Sequence, residues 1–188
     1  VRELVAHGHS VQVETGAGAG IGYDDEAYRN AGATVAESVE RVFAEAELIV
    51  KVKEPQAAER ARLKKGQTLF TYLHLAPDPA QAADLIASGA SCIAYETVTA
   101  PEDGRLPLLA PMSQVAGRMA IQAGARCLEK EAGGRGVLLG GVPGVRPAKV
   151  VVLGGGVVGS NAALIALGVG ADVSVLDRSI PTLESLAA

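Results

Sequence analysis

Short apolar runs alternate with helix-period stretches along most of the chain. Residues 10–14, 48–53, 67–73, 91–96, 149–153 and 172–176 have strand length and are rich in Val, Ile, Leu and Thr. Several are apolar on successive positions, as strands buried on both faces are. Between them lie stretches of helical period: 24–31 with Asp24 as N-cap, 36–46, 55–64 opened by Pro55, 79–88, and 157–167. A helix end is expected over 1–8, stopped at Gly8, and a Gly-rich turn over 16–20. Strand–helix–strand alternation predicts βαβ units and parallel sheets.

The pattern breaks at Pro101-Glu102-Asp103-Gly104 and resumes in the longest helical stretch, 112–131, where Ala116, Met119, Ala120, Ala123 and Cys127 share one stripe. A Gly- and Pro-rich connector, 133–147, follows. We therefore expect a first domain over 1–111 and a second over 112–188 that includes the linking helix 112–131. The first domain opens on half a helix with no preceding strand. The second stops after βαβ and part of a helix, short of the βαβαβ of a mononucleotide-binding half. The expectation is that these residues belong to a longer polypeptide.

Composition narrows the function. The chain has 188 residues, 48% apolar and 20% charged, with aromatics at 3% and a net charge of −4. This is a globular composition. It lacks the clustered basic residues and stacking rings of a nucleic-acid surface. No apolar run reaches the ~18 residues of a membrane span. Cys92 and Cys127 form no CxxC pair, so reduced thiols in a cytoplasmic protein are expected, and no metal site.

Chemistry enters at Val150-Val151-Val152-Leu153, followed at once by Gly154-Gly155-Gly156-Val157-Val158-Gly159. This fits GxGxxG between a strand and a helix. Gly154 permits the tight turn, Gly156 lets backbone approach a pyrophosphate, and Gly159 lets the helix lie close to the strand. The helix start, with Val157 and Val158, offers free N–H groups to phosphate. Asp177 stands at the end of the next strand, 18 residues past Gly159. A carboxylate there accepts from ribose hydroxyls and repels a 2′-phosphate, so NAD is the expected cofactor. The fold class read from the whole is α/β, with two Rossmann-like parallel-sheet domains, the second incomplete.

In open α/β sheets ligands collect beyond the carboxyl ends of strands. Lys53 and His74 each end a strand of the first domain. If those strands are parallel neighbours, both side chains reach one crevice. A lysine there binds a carboxylate or polarises a carbonyl, and a histidine passes a proton near neutral pH. Lys51 shares a face with Lys53, so either could be the surface lysine, and His74 could be a turn residue. Tyr95 and Glu96 end a third strand, within reach of the crevice or behind it. Ser113 either caps the long helix or bonds a cofactor amide.

Five segments together resemble the L-alanine dehydrogenase family: Lys51-Val52-Lys53-Glu54-Pro55, Thr71-Tyr72-Leu73-His74-Leu75-Ala76, Ile93-Ala94-Tyr95-Glu96-Thr97, Leu108-Leu109-Ala110-Pro111-Met112-Ser113 with Val115-Ala116-Gly117-Arg118, and residues 133–145. The resemblance runs over essentially the whole chain. It implies NAD-dependent, reversible oxidative deamination of L-alanine to pyruvate and ammonia. By position it implies that Lys53 holds substrate, that His74 is the catalytic histidine, and that Ser113, Val157, Val158 and Asp177 contact cofactor. It also implies a hexamer. The family's substrate-carboxylate arginine and catalytic aspartate belong to segments outside these residues, and Thr182 stands where a basic residue is frequent. The alternatives are the NAD-binding alpha subunit of a proton-translocating transhydrogenase, which shares the architecture, and a non-catalytic NAD-binding module.

Overall fold

The computed structural model describes residues 1–187. The chain packs as two units, Val1–Val98 and a second from Thr99 onward.

The first unit opens with α1 (Arg2–Ala6), β1 (Gln12–Glu14), α2 (Asp25–Asn30) and β2 (Thr34–Ala36). Asp24 caps α2 as expected, its carboxylate accepting from the Ala27 N–H at 2.8 Å. β1 and β2 form a parallel pair of their own, Gln12 opposite Thr34 and Glu14 opposite Ala36. β2 corrects the sequence reading, which began a helix at residue 36. The helix, α3 (Val39–Glu45), starts three residues later.

A three-stranded parallel sheet follows, in the order β3 (Leu48–Val50), β4 (Thr68–Thr71), β5 (Ser91–Ala94). Its helices are α4 (Ala57–Arg60) and α5 (Pro79–Ser88). α4 is one turn where residues 55–64 were expected to be helical. Gln56 and Glu59 close a capping box around it, and past Ala61 the chain turns so that Leu63 enters the core. Pairing sets Ile49 beside Leu69 and Leu69 beside Cys92. That row points into a core of Phe43, Ile49, Leu63, Leu69, Leu73 and Leu85. Burying a side chain such as Leu69 completely contributes about 1.5–3 kcal/mol. The alternate row, Val50, Phe70 and Ile93, lies on the other face, where Leu48, Val50 and Ile93 are exposed.

The second unit begins with α6 (Ala110–Leu128), two residues earlier than the stretch expected from the pattern and three shorter at its end. Then come β6 (Lys149–Leu153), α7 (Val157–Gly168), β7 (Asp172–Leu176) and α8 (Ile180–Ala187). β6 and β7 pair in parallel over all five residues, Lys149 opposite Asp172 through Leu153 opposite Leu176. α7 crosses between them and buries Gly159, Ala162, Ala163 and Ala166. Those positions repeat at helical spacing, and their small side chains let the helix lie close. α6 packs on α7 at Gly117, where a Cβ would sit 2.2 Å from the Val158 carbonyl oxygen.

Candidate functional site

The first group of side chains lies past the carboxyl ends of β3 and β4. These strands are parallel neighbours, the condition under which Lys53 and His74 share a crevice. β3 ends at Val50, so Lys51, Val52 and Lys53 form the loop that follows it. The Thr71 hydroxyl, buried at the end of β4, donates to the Lys53 carbonyl at 2.9 Å. This ties the loop to the neighbouring strand.

Glu54 brings Lys53 and His74 together. Lys53 Nζ lies 3.2 Å from Glu54 Oε1, and His74 Nδ1 lies 3.4 Å from Oε2. Oε2 is buried and makes no hydrogen bond within ordinary limits, and the imidazole faces it. The carboxyl is held below its usual range, first by its own backbone N–H, then by Lys53 and, more weakly, by His74. Lys53 and His74 are 79% and 56% exposed, so both can meet a small solute. The His74 ring stacks on Tyr72 at 5.8 Å.

Lys51, the other candidate lysine, is committed elsewhere: its Nζ donates to both oxygens of Glu59 at 2.5 and 2.6 Å. Tyr95 packs edge-on to Phe70 and Tyr72. Burial, then the neighbouring Tyr72, pushes its hydroxyl above the usual phenol range. Glu96 turns to the backbone, its carboxylate accepting from the N–H groups of Leu73 and His74. Glu54 was missed by sequence reasoning, although its place beside Lys53 was the available signal.

The second group lies in the second unit. Gly154, Gly156, Val157, Val158, Gly159 and Ser113 line one hollow of about 580 Å³ against β6. Gly154 has φ +97°, the left-handed region that glycine enters without penalty. A Cβ on Gly159 would lie 1.7 Å from the Gly154 oxygen, whereas one on Gly156 would meet nothing within 4 Å. The first glycine thus shapes the turn, the third admits the helix, and the middle one leaves open space above the backbone. Gly156 is the N-cap of α7 and supplies no side-chain cap, so the first-turn N–H groups have no side-chain acceptor. Ser113 lies inside the first turn of α6, its N–H bonded to the Leu109 carbonyl. It does not cap that helix, which begins at Ala110.

Asp177 follows β7. Its Oδ2 accepts from the Gly155 N–H at 2.6 Å and its Oδ1 from the Ser179 N–H at 2.8 Å. These bonds, Ser179 first and Gly155 next, hold its carboxyl below the usual range. An ionised carboxylate has about four acceptor sites, so sites remain for ribose hydroxyls. The glycine turn, the uncapped helix start and this carboxylate fit the pyrophosphate and ribose of a dinucleotide. Among the described residues no group of three or more His, Cys, Asp or Glu could hold a metal ion, and no helix is long and apolar enough to cross a membrane.

Comparison with known proteins places both groups in context. Residues 1–116 match the model for the alanine dehydrogenase/PNT N-terminal domain, and residues 120–188 match that for the C-terminal domain. The chain is 63% identical over 98% of its length to an alanine dehydrogenase of Halomonas elongata, covering 50% of that protein. It is 53% identical over 99% of its length to one of Bacillus subtilis, covering 48%. A solved L-alanine dehydrogenase superposes with a TM-score of 0.88 at 52% identity, over 98% of this chain and 51% of that one. A transhydrogenase from Sinorhizobium meliloti superposes at 0.80 with 26% identity, over 99% and 55%. The chain spans about half the length of the curated relatives it matches.

Proposed function

The chain belongs to the alanine dehydrogenase/PNT family, and on that footing we propose that the whole protein carries out NAD-dependent, reversible oxidative deamination of L-alanine to pyruvate and ammonia. The observation that carries the reading is the cluster past β3 and β4: an exposed ammonium and an exposed imidazole on opposite oxygens of Glu54.

Lys53 binds the substrate carboxylate or keto oxygen through a charge-assisted hydrogen bond. His74 takes a proton from the substrate nitrogen or from the water that adds to the imine carbon, and returns one in the reverse direction. Glu54 orients the ring through Oε2 without being consumed. Gly154, Gly156, Gly159 and the N–H groups of Val157 and Val158 hold the pyrophosphate, Asp177 the adenosine ribose, and Ser113 the amide end. The bound dinucleotide supplies the two-electron acceptor for the Cα–H bond of alanine. Asp177 favours NAD over NADP by charge, since a 2′-phosphate would stand against a carboxylate that backbone bonds keep ionised. A cytoplasmic location and a homohexamer belong to the same reading.

Transhydrogenases share the architecture, but the 26% identity to the solved one stands against 52% to the solved L-alanine dehydrogenase, which supports the amino-acid reaction. The deciding experiment is alanine-dependent reduction of NAD by the protein at the full length of its relatives. No reduction with alanine, together with hydride exchange between nucleotides, would overturn the proposal. Tight NADH binding with neither reaction would favour a binding module.

A further inference from the structure

Among the described residues His74 is the one non-glycine position with a left-handed backbone, φ +47°. A side chain bearing a Cβ enters that region at a cost and persists there when its surroundings over-determine it. Two groups do so here. The Leu73 N–H donates to Glu96 at 3.0 Å to Oε1 and 3.3 Å to Oε2, and the His74 N–H donates to the same Oε1 at 2.7 Å. From beneath, the buried Gln81 side chain donates its amide to the Leu73 carbonyl. Strand register delivers Glu96: Thr71 pairs with Ala94, and two residues beyond each lie Leu73 and Glu96.

Two successive N–H groups aimed at one point make a concavity for an anion. A carboxylate offers acceptors and negative charge at both oxygens, whereas an amide would set an NH₂ against the Leu73 N–H that Oε2 now receives. Burial alone would raise the Glu96 carboxyl, but the N–H bonds from His74, its own backbone and Leu73 outweigh it and leave it below the ordinary value. Both oxygens are engaged by backbone, so Glu96 is not placed to carry a proton itself.

We propose that Glu96 is a positioning residue, which holds residue 74 in its left-handed conformation and thereby sets the imidazole over Tyr72 and beside Glu54, where it meets the substrate. The proposal rests on the reading of His74 as the proton-transfer group. Gln81 supports the same segment through its carbonyl side.

The test is a double-mutant cycle in the protein at full relative length. Glu96→Gln should lower kcat about 10- to 100-fold, the loss expected when a reacting group is misplaced by about 1 Å, with KM for alanine little changed. In a His74→Ala background the same substitution should cost nothing more. A further, additive loss would overturn the positioning role while leaving His74 its own. Full activity in His74→Ala would remove the underlying reading, and the positioning role with it. If Glu96→Gln does not fold, the amide proton shifts of Leu73 and His74 in the unaltered protein decide. The two should move together in one acidic titration as Glu96 is protonated. Amides that stay flat, or that titrate separately, would overturn the proposal.

Discussion

Lys51 Nζ sits 2.5 Å from Glu59 Oε1, with both side chains about four-fifths buried. Glu59 is also the residue whose carboxylate accepts from the Gln56 N–H in the capping box of α4. The pair therefore fastens the loop after β3 to the helix that follows. Lys53, two positions on, points its charge into solvent and pairs with its neighbour Glu54.

The two lysines should separate in experiment. Lys51→Ala is expected to lower stability by about 1–3 kcal/mol, because Glu59 is left largely buried without its cation, and to leave KM for alanine nearly unchanged. Lys53→Ala should do the reverse, with an unchanged melting temperature and a KM at least tenfold higher. Chemical unfolding and initial-rate kinetics on the same preparations check both halves.

The fingerprint glycines should also separate. Gly159→Ala places a Cβ against the Gly154 oxygen, a backbone atom that cannot swing aside, and should destabilise the fold by roughly 1–3 kcal/mol or more. Gly156→Ala meets open space and should leave thermal unfolding unchanged while weakening NADH binding. Equal melting temperatures for the two variants would contradict the roles given to these positions.

Asp177 carries a pH prediction with a definite sign. Its folded-state pKa is depressed, by the N–H groups of Ser179 first and Gly155 next. The stabilisation is therefore complete above the unfolded aspartate value and is lost as pH falls through the lower, folded one. The Gly155 amide proton, followed by NMR, should thus hold its shift through the ordinary aspartate range and move only at more acidic values. Asp177→Gly should relax the preference for NAD over NADP. A preference unchanged by that substitution counts against ribose recognition here.

Gln67 offers a test of the fold alone. Buried at the start of β4, its amide donates to the carbonyls of Phe43 and Ala46 at 2.8 Å each, and its oxygen accepts from the Lys64 N–H at 2.9 Å. Gln67→Leu keeps the volume and removes all three bonds. A loss of about 2–4 kcal/mol is expected, since buried groups stranded without partners cost about 1–3 kcal/mol each. Denaturant melts of the isolated variant report it directly.

How much of this was legible in sequence depends on range. β6, β7 and α5 fall at their expected bounds, because apolar runs, glycine punctuation and the Asp78-Pro79 start are local signals. β2 was hidden because Thr34-Val35-Ala36 is three residues long in an alanine-rich tract, and only its pairing with β1 makes it a strand. α4 looked long because residues 61–64 suit a helix, yet burial of Leu63 wins. Lys53 and His74 were readable as residues near the carboxyl ends of strands, although both lie in the loops that follow β3 and β4. The bridging role of Glu54 was not, since it depends on side chains from two loops. The hold of Glu96 on residue 74 was still further from view, since it arises from the register of β4 against β5.

Helix α6 approaches α7 so closely because position 117 carries only hydrogen: a Cβ there would lie 2.2 Å from the Val158 oxygen. Ser113 stands one turn upstream on α6, and Val158 belongs to the opening turn of α7. The absence of one methyl group therefore fixes the width of the opening these helices share. Enlarging residue 117 would wedge the rods apart and draw the serine away from the glycine turn, reshaping the hollow without altering any residue that lines it.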